Sequence, residues 1–499
     1  MKRTGRFSTT PPSRGKDSRA VCCGIALFFV GLYLLVSGQG FYSTDGETMA
    51  RTTWAMVDKG RLSVPCDDAL PSAIEGREGR CYSRYGLGQP LAAVPLYLVG
   101  KGASALFPDL DYGQVLRFTL ARFNQFVMAL ACGAVCALGA LLYRSTRMGA
   151  GLALLFGLST LALPYSRFYF NEPLTVLGLA MALLGLFSYR QKMRRNWLWL
   201  GGAGFGLAVL TRTVSALLLP AFLAYLWSLE QGDQAGSNPQ LTLPRAPGNL
   251  FAIASGRAVC FLLPVAMLSA LQVAYQWWAF GNPWSGGYRG EGWQTPLWLG
   301  LYGLLLSPGK SLLLFTPLTL LSGWGWARWV REGWRREAVF FAASFLLWLL
   351  FHAGWWTWHG GWSWGPRFMV PMLPFLILPI GSLWRLGRGP RTAIIILAAI
   401  GFAVQLGGLL VNFGDYMLWV NDEDKVLFNP AFTPLVGHWR MLLTGARPDL
   451  AVLNMPVWGA AAWATVCGLL MALGLHWSSI LPAAGRTETR EEAAHEGPR

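Results

Sequence analysis

Two long stretches of the sequence contain no charged residue, and they constrain the fold more than any other feature. Residues 21–41 and 392–413 are each long enough for a helix to cross a hydrocarbon core of about 30 Å. Of the 499 residues, 54% are hydrophobic and only 13% are charged, which is too little charge to cover a soluble protein of this length. The sequence therefore predicts an all-α polytopic membrane protein.

The basic residues support the same conclusion, because they lie in short clusters between apolar stretches. Cytoplasmic loops of membrane proteins are rich in Lys and Arg. Placing every strong basic cluster on that side gives about 12 transmembrane helices (roughly 11 to 13), with short interfacial helices in the outer loops. The net charge of +16 is then explained by topology, and no nucleic acid partner is predicted.

This threading divides the chain into four parts. Residues 1–20 form a basic cytoplasmic tail, and residues 21–391 form a transmembrane core with a long first outer loop at 42–113. Residues 392–480 form a final helix pair around a second outer loop at 414–456, and residues 481–499 form a cytoplasmic tail. The first apolar stretch is longer than a signal-peptide core, so we expect it to be retained as a helix. A polar cytoplasmic linker is predicted at 229–257.

A second set of charged residues lies at the outer ends of the predicted helices. Charges at the membrane edge are costly and are often functional, and arginines are not expected on this side. We expect the set to line one pocket that holds carboxylates and several cations. Its members are Asp45, Glu47, Arg84, Arg167, Glu172, Arg212, Arg289, Lys310, His359 and Arg367.

The acids Asp45 and Glu47 directly follow the first predicted helix. One interpretation is a helix start, with Thr44 as N-cap and Glu47 completing a capping box. The other is catalytic, because a carboxylate at the outer rim can act as general base for an acceptor hydroxyl or amine. Glu172, which precedes Pro173, fits a first helical turn and would lie at the same membrane level.

The segment 354–368 is rich in tryptophan and glycine, and its ionisable residues are His359 and Arg367. An aromatic belt would explain the tryptophans but not an arginine at the start of a returning helix, where the helix dipole already favours an anion. Arginine with free backbone N–H groups forms a phosphate site, and aromatic faces such as those of Trp362 and Trp364 suit a sugar or an isoprenoid chain.

The remaining polar residues allow fewer conclusions. Lys310 follows Ser307-Pro308-Gly309, which lacks the first glycine of a nucleotide-binding P-loop but could hold a lipid phosphate. No His/Cys cluster has zinc spacing, and His352 is interpreted as a packed core histidine. Cys66 and Cys81 share the first outer loop, where a disulfide can form, although sequence alone does not establish its geometry.

Taken in order, several motifs resemble the GT-C superfamily of membrane glycosyltransferases, which includes protein O-mannosyltransferases and the lipid A aminoarabinose transferase. The resemblance covers residues 40–391. It is carried by Asp45-Gly46-Glu47, Tyr85-Gly86-Leu87-Gly88-Gln89-Pro90-Leu91, Asn171-Glu172-Pro173, Leu210-Thr211-Arg212, Ser307-Pro308-Gly309-Lys310 and Trp362-Ser363-Trp364-Gly365-Pro366-Arg367-Phe368.

The resemblance implies a GT-C-like topology and transfer of a hexose or pentose from a polyprenyl-phosphate carrier to a glycan, lipid or protein acceptor. The site would face the periplasm from the inner membrane. The family's catalytic acids correspond to Asp45 and Glu47. Its phosphate-binding cations correspond to Arg212, Lys310 and Arg367, and by position to Arg84 and Arg167. A sugar or acceptor pocket would include Glu172, His359, Trp362, Trp364 and Tyr85.

Three questions stay open at this level. No cofactor is required beyond the lipid-linked donor, whereas a divalent metal is compatible with the sequence. A secondary transporter or a flippase of an anionic glycolipid is the main alternative, although we find no repeated halves. The soluble outer domain found at the carboxyl end of several GT-C members has no counterpart in this sequence, so acceptor recognition would fall to the loops.

Overall fold

The computed structural model describes residues 15–234, 256–284, 286–288 and 290–479. Most of the predicted amino-terminal tail, most of the predicted linker, the carboxyl-terminal tail and Arg289 lie outside these residues. The twenty-two α-helices of the described part follow in chain order. They are α1 Gly15–Leu35, α2 Thr44–Lys59, α3 Gly88–Ala92, α4 Val94–Leu106, α5 Tyr112–Leu120, α6 Phe123–Tyr143, α7 Thr146–Ser159, α8 Ala162–Tyr165, α9 Glu172–Lys192, α10 Asn196–Thr211, α11 Leu219–Gln234, α12 Gly256–Phe280, α13 Leu297–Leu306, α14 Leu312–Phe315, α15 Ser322–Arg331, α16 Arg335–Gly354, α17 Leu373–Ile377, α18 Arg388–Leu410, α19 Phe413–Val420, α20 Glu423–Phe428, α21 Pro434–Leu443 and α22 Val457–Ser479.

Eight helical segments within the described residues are long and apolar enough to cross a membrane, which confirms the all-α membrane class. They are Ser18–Leu35, Tyr112–Tyr143, Glu172–Lys192, Gly256–Phe280, Arg335–Gly354, Arg367–Leu386, Arg388–Leu410 and Val457–Ser478. The other predicted helices correspond to the shorter α7, α10 and α11 and to an interrupted segment. The count of about 12 spans therefore stays a prediction.

The interrupted segment is the apolar stretch at about 311–327, for which the sequence predicts one further helix. It consists of α14, a 3-10 turn at Pro317–Leu321 and α15. Proline has no N–H and disfavours a helical conformation at the residue before it, and Thr316 accordingly has φ −138° and ψ 74°. Short helices were predicted in the outer loops without positions, and α13 and α19–α21 lie in segments for which no individual helix was predicted.

The first outer loop contains a small antiparallel sheet that the sequence analysis did not predict. Its strands are β1 Ser63–Val64, β2 Ala73–Glu75 and β3 Cys81–Ser83, in the order β1-β3-β2. Cys66 and Cys81 form a disulfide with their Cα atoms 5.2 Å apart. Since Cys66 lies two residues after β1 and Cys81 lies in the central strand β3, the disulfide links the end of β1 to the middle of the sheet.

The helix ends that carry the predicted site residues meet at one end of the bundle. Helices α9 and α10 pack along each other, and α9 also packs against the 3-10 segment Arg367–Met372. The start of α9, the end of α10 and the start of the 367–386 segment are therefore neighbours. The first outer loop reaches the same end of the bundle, because Gly86 packs closely against the backbone of α10. A Cβ added at Gly86 would lie only 2.2 Å from the carbonyl oxygen of Leu210.

Candidate active site

Helix α2 presents Asp45 in its first turn. The N-cap is Ser43, whose side chain accepts a hydrogen bond from Gly46 N at 3.1 Å, so the capping box predicted from Thr44 does not form. The Asp45 side chain takes no part in capping. It is free to project toward the other helix ends.

Asp45, Arg367, Glu172 and Arg212 form one continuous ion-pair network. Arg367 donates from Nη1 to Asp45 Oδ2 at 2.8 Å and from Nε to Glu172 Oε1 at 2.7 Å. Arg212 donates from Nη1 to the same Glu172 oxygen at 2.6 Å. The structure thus joins an acid of the first outer loop to an arginine 322 positions later in the sequence.

The network is buried under aromatic side chains. Glu172 is 0% exposed and Arg367 is 8% exposed. The guanidinium carbon of Arg367 lies 3.8 Å from the ring centre of Phe170, and that of Arg212 lies 4.6 Å from Phe368. Among the described residues, Glu172 Oε2 has no hydrogen-bond partner, which is an unusual state for a buried carboxylate oxygen.

Asp45 remains charged in this setting. Burial alone would raise its pKa, but the charge and hydrogen bond of Arg367, together with the Ser72 hydroxyl, outweigh burial and hold the pKa below its usual value. Ser72 Oγ donates to Asp45 Oδ1 at 2.7 Å. Tyr85 lies beside them, with its hydroxyl 3.5 Å from Ser72 Oγ. Burial, with the nearby Asp45 charge, raises the pKa of Tyr85, so its phenol stays protonated.

Lys310 is a second buried cation and lies between α13 and α14. Its Nζ donates to the carbonyl oxygens of Gly361 at 2.9 Å and of Ser363 at 2.5 Å. No carboxylate of the described residues forms an ion pair with it. Burial lowers its pKa to about 7, more than the distant Glu423 charge can restore.

The tryptophan- and glycine-rich segment connects Lys310 with Arg367. Gly360 and Gly361 have φ of 72° and 67°, a conformation that favours glycine. Trp364 is fully buried, with its indole N–H 3.2 Å from Gln405 Oε1, whereas Trp362 is half-exposed. Trp364 is therefore part of the core that supports the segment, and Trp362 faces outward.

Two other predicted residues, Glu47 and Arg167, lie outside the network. Glu47 accepts bidentate hydrogen bonds from Arg117 at 2.9 and 2.7 Å and another from Arg51 at 2.8 Å. Arg167 pairs with Asp449 at 2.5 Å.

Arg84 and His359 also have partners of their own. Arg84 forms an ion pair with Glu291 and lies over the ring of Tyr288 at 4.3 Å. His359 Nδ1 lies 3.1 Å from Glu423 Oε1. These pairs form the wall and rim of the site.

Two residues around these groups were not predicted: Ser72 contacts Asp45, and Glu291 binds Arg84. His352, interpreted above as a packed core histidine, is buried, and its Nε2 lies 3.3 Å from Arg212 Nη2. No motif marked Ser72, since an isolated serine is common in loops. Within the described residues, no group of three or more His, Cys, Asp or Glu side chains could hold a metal ion.

The arrangement combines a charged carboxylate with buried cations in a site of low dielectric. Such a site can take a proton from a nucleophile while it stabilises negative charge that develops on a leaving group. Because Glu172 and Arg367 are buried, their electrostatic interactions are stronger than they would be in water.

One part of the chain matches the model of a known protein family. The family model for dolichyl-phosphate-mannose-protein mannosyltransferases matches residues 113–239, about a quarter of the chain. No curated protein sequence matches the chain significantly.

Several solved structures show low global similarity. The crystal structure of ArnT from Cupriavidus metallidurans bound to undecaprenyl phosphate is 18% identical, with a TM-score of 0.47, over 97% of this chain and 82% of that one. The apo form of ArnT has a TM-score of 0.44 at 18% identity, over 96% and 80%. The Archaeoglobus fulgidus oligosaccharyltransferase complex with Zn and sulfate has 0.42 at 12% identity, over 90% and 66%. The family-model match confirms the resemblance that the sequence motifs predict, namely to the GT-C superfamily of membrane glycosyltransferases.

Proposed function

We propose that this protein transfers a hexose or pentose from a polyprenyl-phosphate carrier to a glycan, lipid or protein acceptor. The reaction takes place at the outer, periplasmic face of the inner membrane, with Asp45 as the general base. The observation that carries the proposal is the direct ion pair between Asp45 and Arg367 within a buried network. The match to a family that uses dolichyl-phosphate mannose supports the class of donor.

The chemistry is a single displacement. Asp45 accepts the proton of the acceptor O–H or N–H, and the acceptor atom bonds to the anomeric carbon as the bond from that carbon to the phosphate oxygen breaks. The phosphate leaves on its lipid with the bonding electron pair, and the anomeric centre inverts. A retaining reaction would need a nucleophilic carboxylate next to the sugar, and Glu172 is already shared by two arginines.

The leaving phosphate requires cations, and Arg212, Arg367 and Lys310 are placed to supply them. Both arginines are occupied by Glu172 in this structure, whereas Lys310 donates only to backbone and hydroxyl oxygens of the described residues. A phosphate therefore meets Lys310 without displacing an acid, whereas it competes with Glu172 for Arg212 and with Glu172 and Asp45 for Arg367. Arg84 and Arg167 have acidic partners of their own and support the site from outside.

The sugar and acceptor lie between the network and the rim in this proposal. The residues assigned to that space are Tyr85, Glu172, His359 and Trp362. Trp364 supports this group from the core. Glu47 contributes through Arg117, which it binds in bidentate geometry, rather than by contact with substrate.

The test combines lipid analysis with a defined assay. Cells that lack the protein should accumulate a polyprenyl-phosphate sugar, which mass analysis of lipid-linked glycans identifies. Purified protein in vesicles that contain this lipid should then release free polyprenyl phosphate when acceptor is added. Movement of the intact lipid across the membrane without release of polyprenyl phosphate would favour the flippase alternative and exclude transfer.

A further inference from the structure

Both oxygens of the Asp45 carboxylate accept a hydrogen bond, one from the charged Arg367 and one from the neutral Ser72. Oδ2 accepts from Arg367, and Oδ1 accepts from the Ser72 hydroxyl at 2.7 Å. Ser72 is only 4% exposed, so water does not readily replace it. A carboxylate held by Arg367 alone could rotate about its side-chain bonds, whereas two contacts from different elements fix the carboxylate plane.

The sheet that contains the disulfide holds Ser72 beside Asp45. It directly precedes β2, and its carbonyl oxygen accepts from Arg84 N at 3.2 Å. In the sheet, Ala73 pairs with Ser83 and Glu75 pairs with Cys81. The disulfide from Cys81 to Cys66 therefore anchors the strand against which the Ser72 end of β2 is aligned.

We propose that Ser72 is a positioning residue that orients Asp45 for proton abstraction, and that the Cys66–Cys81 disulfide keeps Ser72 in place. The proposal rests on the proposed role of Asp45 as base. It assigns the outer-loop sheet a part in the reaction, so that an extracytoplasmic disulfide stabilises the geometry of a group in the membrane-edge site.

Several groups face Asp45 and would respond to any change in its orientation. Arg367 approaches from the 367–386 segment, Tyr85 from the loop after β3, and Tyr288 from the loop after α12. Glu172 is linked to Asp45 through Arg367. Of these groups Arg367 alone is cationic, so loss of the Ser72 hydrogen bond removes one of the few interactions that favour the charged carboxylate.

Infrared spectroscopy of the full-length protein in lipid vesicles tests the contact without any substrate. The difference spectrum between wild type and Asp45→Asn isolates the carboxylate bands of Asp45. Ser72→Ala should shift these bands at neutral pH and raise the titration midpoint of Asp45 by about one pH unit or more, since a hydrogen bond to a charged group is lost. Ser72→Thr retains the hydroxyl and should restore both values.

The matched control is Ser63→Ala, which removes a hydroxyl from β1 of the same sheet. Ser63 forms no hydrogen bond with Asp45 in the described structure, so the Asp45 bands should stay where they are in wild type. Unchanged Asp45 bands and midpoint in Ser72→Ala would overturn the proposal. So would an equal shift in Ser63→Ala, because it would indicate a general disturbance of the hairpin.

Reduction of the disulfide is a second, independent test that needs no substitution at Ser72. Dithiothreitol, or the paired substitution Cys66→Ser and Cys81→Ser, should move the Asp45 bands in the same direction as Ser72→Ala. Reduction should add little to the shift in Ser72→Ala protein, because the contact is already absent. A full additional shift there would contradict the proposed route from the disulfide through Ser72.

Kinetics then separate this inference from the proposed function. With an active donor, Ser72→Ala should lower kcat by about 10- to 100-fold with little change in the donor KM, as expected for a misoriented base. Infrared shifts without transfer activity from any polyprenyl-phosphate sugar would refute the proposed function and leave the Ser72 contact established. Normal kcat in Ser72→Ala, with the bands shifted, would refute the positioning role alone.

Discussion

Arg367 Nη1 and Asp45 Oδ2 are 2.8 Å apart, although the two residues are separated by 322 positions in the sequence. This pair joins the first outer loop to the last third of the chain. It also brings the proposed base into the same buried network as a cation that can stabilise negative charge.

Asp45→Asn should abolish sugar transfer. The asparagine amide cannot take up the proton that the acceptor molecule loses. The loss of general base catalysis should lower the rate by at least about 100-fold. The measurement is the initial rate of polyprenyl phosphate release by protein that inserts and purifies like wild type. A variant that turns over at a near-normal rate would remove Asp45 from the role of base.

Asp58→Asn provides the control for that experiment. Asp58 lies in the same helix α2 and accepts hydrogen bonds from Tyr97 at 2.6 Å and Lys101 at 2.8 Å, apart from the network. The same chemical change at this position should leave the rate of transfer close to that of wild type.

Glu172→Gln should strengthen the binding of undecaprenyl phosphate, by about tenfold (roughly 1.4 kcal/mol). Asp45 and Glu172 together balance the charges of Arg367 and Arg212, so removal of the Glu172 charge leaves the network with a net positive charge. Binding is measured through the change in tryptophan fluorescence on titration. Glu337→Gln is the control, since Glu337 is an equally buried acid that binds Arg190 in another part of the bundle. Weaker binding in Glu172→Gln would argue that Glu172 contacts the lipid headgroup favourably.

Lys310 should make phosphate binding depend on pH. Its pKa is lowered to about 7 by burial, so the amine loses its charge as the pH rises through this value. The affinity of wild type for undecaprenyl phosphate should fall relative to Lys310→Arg, by up to about tenfold from pH 7 to about pH 8, because arginine stays charged. The ionisation of the phosphate is common to both proteins and cancels in the ratio. A ratio that is constant with pH would exclude Lys310 from the phosphate site.

Arg167→Met should lower stability without weakening donor binding. Arg167 is fully buried and pairs with Asp449, so its removal leaves that acid without its cation and should cost about 3 to 5 kcal/mol. The apparent Tm reports this loss, and a double-mutant cycle with Asp449→Asn should show coupling between the two positions. If the donor KM rose tenfold while the apparent Tm stayed constant, Arg167 would instead belong to the phosphate site.

The shared membrane level of the site residues could be predicted from the sequence, but the ion pairs among them could not. Rim positions follow from topology, because the basic clusters fix which ends of the helices face outward. That reasoning brought Asp45, Glu172, Arg212 and Arg367 to one level. It could not decide which acid meets which arginine, since pairing depends on how each helix is rotated about its axis.

Asp45 and Glu47 illustrate this limit. Two positions along an α-helix correspond to a rotation of about 200°, so neighbouring acids of α2 face nearly opposite sides. Asp45 meets Arg367, whereas Glu47 meets Arg117. Both acids were assigned to the catalytic site because they directly follow the first predicted helix and match the acidic motif of the GT-C resemblance.

The outer-loop sheet could not be predicted for a different reason. Its strands have only two or three residues, which is too short for an alternating pattern to be recognised. Its contribution of Ser72 depends on contacts between distant parts of the chain. The disulfide could be anticipated from the location of Cys66 and Cys81, but the residue that it helps to place could not.

The long sequence separation within the network has a consequence for how the protein is made. At a synthesis rate of about 5 to 20 residues per second, the ribosome adds Arg367 roughly 16 to 64 seconds after Asp45. Throughout that interval the newly inserted first loop carries a carboxylate whose cation does not yet exist. The membrane edge, where water still reaches, is a position in which the nascent chain can wait with that charge uncompensated.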